Sequence, residues 1–237
     1  MRKLQLLLVP AEGQSLNLLE ARLVAEGQAL RSRLDVPGRL HRRAIRLPDD
    51  PFATTAHGAE VVTGFAAMME LAVPDEAGAQ PLIDAVEGCA ERLEGLGARI
   101  DATASAALIG TEHVIVPGEE PVALFYALRR LPTLDPEGFR DHWLHRHAEL
   151  GRAVPGLRGY RQVHADPEAS KAAAAAAGVG VHDFDGVAEA YYADVEDFLG
   201  IMAKPEVTAD ALEDEKRFID HSRSTGMLTR IAYRVRD

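Results

Sequence analysis

Apolar runs and amphipathic stretches alternate along the chain, and their order occurs twice. Leu4–Val9 is almost wholly apolar, as a buried strand would be. Leu16–Leu34 carries a helical period, Leu40–Leu47 and Val61–Val73 read as strands, Gln80–Leu96 as a helix, and Ala106–Val116 as a strand. The second half begins with a strand at Val122–Leu128. Asp135 can cap a helix that has Pro136 in its first turn and runs to about Arg152. Strands follow at Leu157–His164 and Gly186–Ala193, then helical segments at Val195–Ala203 and Ala209–Ser222 broken at Pro205, then a strand at Met227–Val235.

Each half therefore reads β-α-β-β-α-β, the ferredoxin-like order. Val36-Pro37-Gly38 recurs as Val154-Pro155-Gly156, and the same shift of 118 residues lays the first strand on Val122–Ala127. With four more residues, Val61–Phe65 lies on Asp183–Val187. This predicts an α+β fold of tandem ferredoxin-like repeats, 1–118 and 119–237, with a seam near Pro117–Glu120. Helices cover only one face of such a sheet, so the bare faces of the two antiparallel sheets are expected to face each other. The stretch from Asp166 to His182, with Ala172–Ala177 inside it, reads as a short surface helix or as a lid over a cleft.

The 237 residues are 47% hydrophobic, enough for a real core. A net charge of −11 argues against nucleic acid or an anionic membrane as main partner. The lone Cys89 rules out an internal disulfide and a cysteine metal cluster, which suits a reducing cytosol; it is most simply a buried small residue. Met1–Val9 is basic and then apolar, like the start of an export signal, but Gln5 interrupts the run and Pro10 ends it, so a buried strand is expected. No run is long enough to span a bilayer.

The halves differ in chemistry. Eleven of 13 aromatic residues and six of nine histidines follow residue 118. Phe139, Trp143 and His147, four apart, form one stripe on a helix, and their counterparts in the first half are Ala21, Ala25 and Ala29. Tyr160, Gln162 and His164 share one face of a strand; Arg42 and Arg46 stand opposite Tyr160 and His164 in the first half. A site is expected in the second half, walled by the first.

Phe139-x3-Trp143-x3-His147, Val154-Pro155-Gly156-Leu157-x2-Tyr160, Phe184-Asp185-Gly186-Val187-Ala188-Glu189 and Glu215-x-Arg217-Phe218-Ile219-Asp220 together resemble the EthD family, over about residues 119–237. The resemblance implies a dimeric α+β barrel with paired sheets and a lumen between them. It also implies relatives that include methylmuconolactone isomerases, polyketide cyclases or dehydratases, and cofactor-free monooxygenases.

On this reading His147 is the acid–base group, and Tyr160 and His164 hold a developing oxyanion on the lumen face. Trp143 walls the pocket, Tyr126 and Glu189 bind substrate, and Arg129, Arg158 and Arg161 are the cations available to an anionic substrate. His142 and His145 beside Glu149 read as a solvated helix face rather than a metal site. Asp183 and Asp185 read as turn residues or as carboxylates orienting a histidine, and His221 as a helix-terminal cation. No phosphate loop, dinucleotide glycine pattern or serine elbow is present.

The expected function is a cofactor-independent isomerase of a small unsaturated acid from aromatic ring cleavage. The alternatives are a dehydratase or cyclase on polyketide-like intermediates, a cofactor-free monooxygenase, and a binding protein without turnover. Two copies could associate as a homodimer.

Overall fold

The computed structural model describes residues 1–34, 36, 40–47, 50 and 64–236. Its strands are β1 (Arg2–Leu8), β2 (Leu40–Arg46), β3 (Ala67–Val73), β4 (Ala106–Val116), β5 (Val122–Leu128), β6 (Gly159–Ala165), β7 (Gly186–Tyr192) and β8 (Thr225–Arg236). They join in the cyclic order β1-β3-β2-β8-β5-β7-β6-β4, with every pair antiparallel. Within each consecutive four, the order is fourth, first, third, second. Two antiparallel sheets facing each other in an α+β barrel were expected, and the structure shows a closed antiparallel barrel. β2 pairs with β8 and β4 with β6, so both edges are sewn and one barrel closes. Closure satisfies the backbone groups that open edges would leave unpaired. Val61–Thr63 and Pro37-Gly38, used above to align the halves, lie outside the described residues.

Alternation along each strand sends one set of side chains inward and the other outward. Leu7, Met68, Leu108, Phe125, Val187 and Met227 belong to the apolar part of the lumen filling. The rest is charged. Lys3 is fully buried, with Nζ 2.5 Å from Glu112, 2.8 Å from Glu189 and 3.1 Å from Glu70. Gln5 donates to Glu189 at 2.8 Å and to Glu70 at 3.1 Å, and the Tyr191 hydroxyl donates to Glu189 at 2.6 Å. Arg161 pairs with Glu119 at 3.0 Å and Glu112 at 3.4 Å. Glu189 and Arg161, expected to bind substrate, are thus partners in a packed lumen. The polar cluster also joins the halves, since Lys3, Glu70 and Glu112 come from the first four strands and Glu189 from β7.

Helices cover the outside. α1 (Leu16–Ser32), α2 (Gln80–Val86) and α3 (Cys89–Gly95) pack over the first four strands. Gly88, at φ +70°, splits the helix expected over 80–96. α4 (Pro136–Asp141), a π-helical turn (His142–His147) and α5 (Ala148–Ala153) cover the second four strands, with α7 (Val195–Met202) and α8 (Pro205–Glu215). The Asp135 carboxylate caps α4 as the sequence predicts, accepting from the Gly138 N–H at 2.7 Å.

The alanine stretch forms α6 (Pro167–Ala177), which is no lid. Its Ala173, Ala174 and Ala177 are buried against the first-half helices, and the Gly88 N–H donates to the Ala176 carbonyl at 2.8 Å. Among the described residues no helix is long and apolar enough to cross a membrane.

Removing the Lys3 ammonium would leave three carboxylates without their shared cation. Lys3→Met is expected to cost about 3–5 kcal/mol of unfolding free energy in a urea titration. A change below about 0.5 kcal/mol would mean that these carboxyls are not charged in the folded barrel.

Candidate active site

A cavity of about 340 Å³ lies outside the barrel, between the outer face of β5, β6 and β7 and the helices α5, α7 and α8. Tyr126, Tyr160, Ala188 and Tyr192 contribute to its sheet side, and Ile201 and Leu212 to its helix side. Among the described residues, packed apolar side chains and the Lys3 cluster occupy the lumen that was expected to hold the site. The reason is geometric. The stripe Phe139, Trp143, His147 belongs to a helical segment, and helices can lie only on the outer face. The strand residues that meet the stripe, Tyr160, Gln162 and His164, therefore point outward too.

His147 and Glu215 both line this cavity. His147 is buried, and its Nδ1 lies 3.2 Å from Asp214. Asp214 is also bound by His142 Nε2 at 3.0 Å and by Arg146 at 3.2 Å. The π turn is what makes this convergence possible. On an α-helix, positions 142 and 147 would stand about 140° apart; a π turn, with its i→i+5 repeat, brings both to one side. His142 is therefore a partner of Asp214 and not part of a solvated face.

Burial lowers the His147 pKa, and the hydrogen bond and charge of Asp214 only partly offset it, so the imidazole is neutral at pH 7. Burial works against the Asp214 charge as well, but His142 and His147 hold its carboxyl below the usual range. Glu215 goes the other way. Burial, then the neighbouring Asp214 charge, raises its pKa to about 7. One cavity thus holds a neutral base oriented by a carboxylate and a carboxyl group poised between its two forms.

The tyrosines add polar points to an otherwise apolar wall. Tyr160 accepts from the Trp143 indole N–H at 3.1 Å and the Gln162 amide at 3.2 Å, which leaves its own O–H to donate elsewhere. Burial pushes the Tyr160 phenol up to about 12, so it stays protonated. The Tyr126 hydroxyl lies 2.9 Å from His221 Nδ1, and His221 Nε2 lies 3.6 Å from Glu215. His221 is thus part of the site's surroundings, and not only a helix-terminal cation.

Several expected site residues fall elsewhere. His164 stacks on Trp143, with ring centroids 4.6 Å apart, and hydrogen-bonds Gln162 at 2.9 Å. It faces a separate open hollow with His113, Arg140 and His145. Trp143 packs behind Tyr160 and does not line the cavity. It fits there because Gly186 has no Cβ, which would meet the indole at 2.6 Å. Arg129 sits over the Phe184 ring and pairs with Asp183 at 2.5 Å. Arg158 is exposed. Asp183 and Asp185 pair with arginines and orient no histidine.

Asp214 and Glu215 were not picked out as site residues in the sequence, although a signal exists for Glu215. Thr208, Ala211, Leu212 and Glu215 have i, i+3, i+4, i+7 spacing and all line the cavity, which places a carboxylate on the apolar face of a helix.

Residues 131–222 match the family model of the EthD domain. No curated protein matches the chain by sequence. Among solved structures, a candidate monooxygenase from Lactobacillus acidophilus is 11% identical with a TM-score of 0.52, covering 99% of this chain and 95% of its own. A mutant chlorite dismutase from Candidatus Nitrospira defluvii, in complex with cyanide, is 12% identical with a TM-score of 0.51, covering 98% and 91%. An EthD family protein from Bacillus halodurans is 27% identical with a TM-score of 0.34, covering 46% and 95%. The first two likenesses are of fold alone, a mixed α/β chain with a closed antiparallel barrel.

Two outcomes follow from the electrostatics. In Asp214→Asn the His147 pKa, read by imidazole NMR, should fall further, because Asp214 is what raises it; a rise would mean that Asp214 does not govern it. His164 is driven down to about 3 by burial, then by His113. Between its unfolded value near 6.5 and that value, the unfolded chain binds a proton that the folded chain does not. Stability should therefore fall as pH drops from about 6.5 toward 3, less steeply in His164→Phe. Equal slopes in urea titrations would refute the assignment.

Proposed function

With residues 131–222 forming an EthD domain, we propose that the chain is an acid–base enzyme acting on a small molecule, an isomerase that moves a double bond next to a carbonyl. The observation that carries this reading is that His147, oriented by Asp214, and Glu215, with its pKa near 7, face one mainly apolar cavity. We further read residues 1–118 and 119–237 as two ferredoxin-like repeats, the second carrying the site. The shared strand order of the two halves supports this.

His147, neutral and held through Nδ1, takes a proton from the carbon beside the carbonyl. The Tyr160 O–H and the protonated Glu215 donate to the carbonyl oxygen as negative charge develops there. In a substrate whose double bond starts one carbon further out, this gives a dienol. The proton then returns from His147 to the γ carbon, the carbonyl re-forms as its oxygen gives up any proton it took, and the double bond has moved into conjugation. The step is redox-neutral and consumes nothing but the substrate. Burial keeps the cavity's dielectric low, where such hydrogen bonds act most strongly on developing charge.

The test is proton exchange at activated carbons of small cyclic enones in deuterated water, followed by NMR. His147→Gln should slow exchange by about 10²–10⁴-fold. Wild-type rates should trace a bell. Activity rises as His147 loses its proton, below pH 6.5, and falls as Glu215 ionises near pH 7. Glu215→Gln should remove the falling limb. Exchange that both variants leave untouched would reduce the cavity to a binding site.

A further inference from the structure

We infer that this cavity admits its ligand only as an uncharged molecule and excludes carboxylates and other anions. The inference rests on the cavity being the site proposed above, and it reverses the anionic substrate expected from the sequence. Among the described lining residues there is no lysine or arginine. The groups that can ionise there are Tyr126 from β5, Tyr160 from β6, Tyr192 from β7, His147 from the π turn and Glu215 from α8. None comes from α7, which contributes Phe198, Leu199, Ile201 and Met202.

Of the cations expected to meet an anion, Arg158 is exposed and is not among the lining residues, and the other two are held by other partners. Arg161 is in the lumen with Glu112 and Glu119, and Arg129 is paired with Asp183. Arg146 is on Asp214, behind His147. The charge next to Glu215 in the chain is the carboxylate of Asp214, on which Arg146 sits from the far side of His147. Asp214 is buried and adjoins Glu215, whose own ionisation it already opposes. A ligand carboxylate would add another negative charge in a low-dielectric space with nothing to balance it. An uncharged ring meets apolar walls, and a single oxygen on it meets hydrogen-bond donors. The route in is apolar as well: Leu199 and Met202 line the cavity and are 48% and 40% exposed. Such side chains would favour a molecule that leaves water readily.

The experiment uses p-nitrophenol, whose neutral and ionised forms differ in colour, titrated with the full chain on both sides of the dye's own pKa. The bound dye should show the spectrum of the neutral phenol. Its apparent Kd should rise about tenfold for each pH unit above that pKa. Benzamide should displace it and benzoate should not, both read also through the His147 imidazole resonance. Leu212→Arg, which puts a cation on the wall, should turn the preference toward the ionised dye, and Ala190→Trp should occlude the site.

Binding of the ionised dye by the wild type, displacement by benzoate, or no binding of any probe would overturn the inference. Because binding is read without turnover, neutral-dye binding with no His147-dependent exchange would leave this inference standing and sink the isomerase reading instead.

Discussion

Closure of the barrel is the constraint from which the rest follows. Eight strands paired on both sides leave a sheet with only two faces. The inner one is consumed by Lys3 and its carboxylates at one level and by apolar side chains at another. The cavity lies instead on the outer face, where helices stand off far enough to leave room. Over the first half, among the described residues, α1, α2, α3 and α6 build one continuous apolar cluster with the leucines of β1. Over the second half, α5, α7 and α8 leave a cavity.

Local irregularity then gives that cavity its chemistry. A regular helix through His142–His147 would present one histidine to Asp214. The π turn presents two, with Arg146 beside them. Asp214 is thereby held ionised in a buried place, and its charge raises the pKa of both neighbours. It steadies His147 as a base and discourages the ionisation of Glu215. Two adjacent residues at the end of α8 divide the roles because one faces the histidines and the other faces the cavity.

Much of the fold was legible in the sequence because strands and caps leave short-range marks. The runs at Leu4–Val9 and Ala106–Val116, the Asp135-Pro136 cap and the doubled strand order all reappear in the structure. The edge pairings β2–β8 and β4–β6 leave no such mark, since backbone hydrogen bonding between distant strands carries little side-chain signature.

The candidate site was legible in part. His147 and Tyr160 do share a cavity with Tyr126. Alternation along β6 correctly grouped Tyr160, Gln162 and His164, but period two cannot say which face is inside, and the lumen was the wrong choice. The sidedness was implicit in the Phe139, Trp143, His147 stripe, which needs an outer face to pack on. The roles of Asp214 and Glu215 depend on a π turn and on burial, and neither follows from residue spacing.

α6 belongs in sequence to the second half, yet it lies on the helices of the first. An assembly of two identical copies would have to repeat that crossing in both directions, filling both outer faces alike. A single chain has no such obligation. It can give one copy of a segment to plug one side while leaving the other side hollow. The unequal covering is thus a consequence of covalent connection. Among the described residues it leaves a cavity of this kind over the second half and a packed apolar cluster over the first, where strict twofold symmetry would have made the two alike.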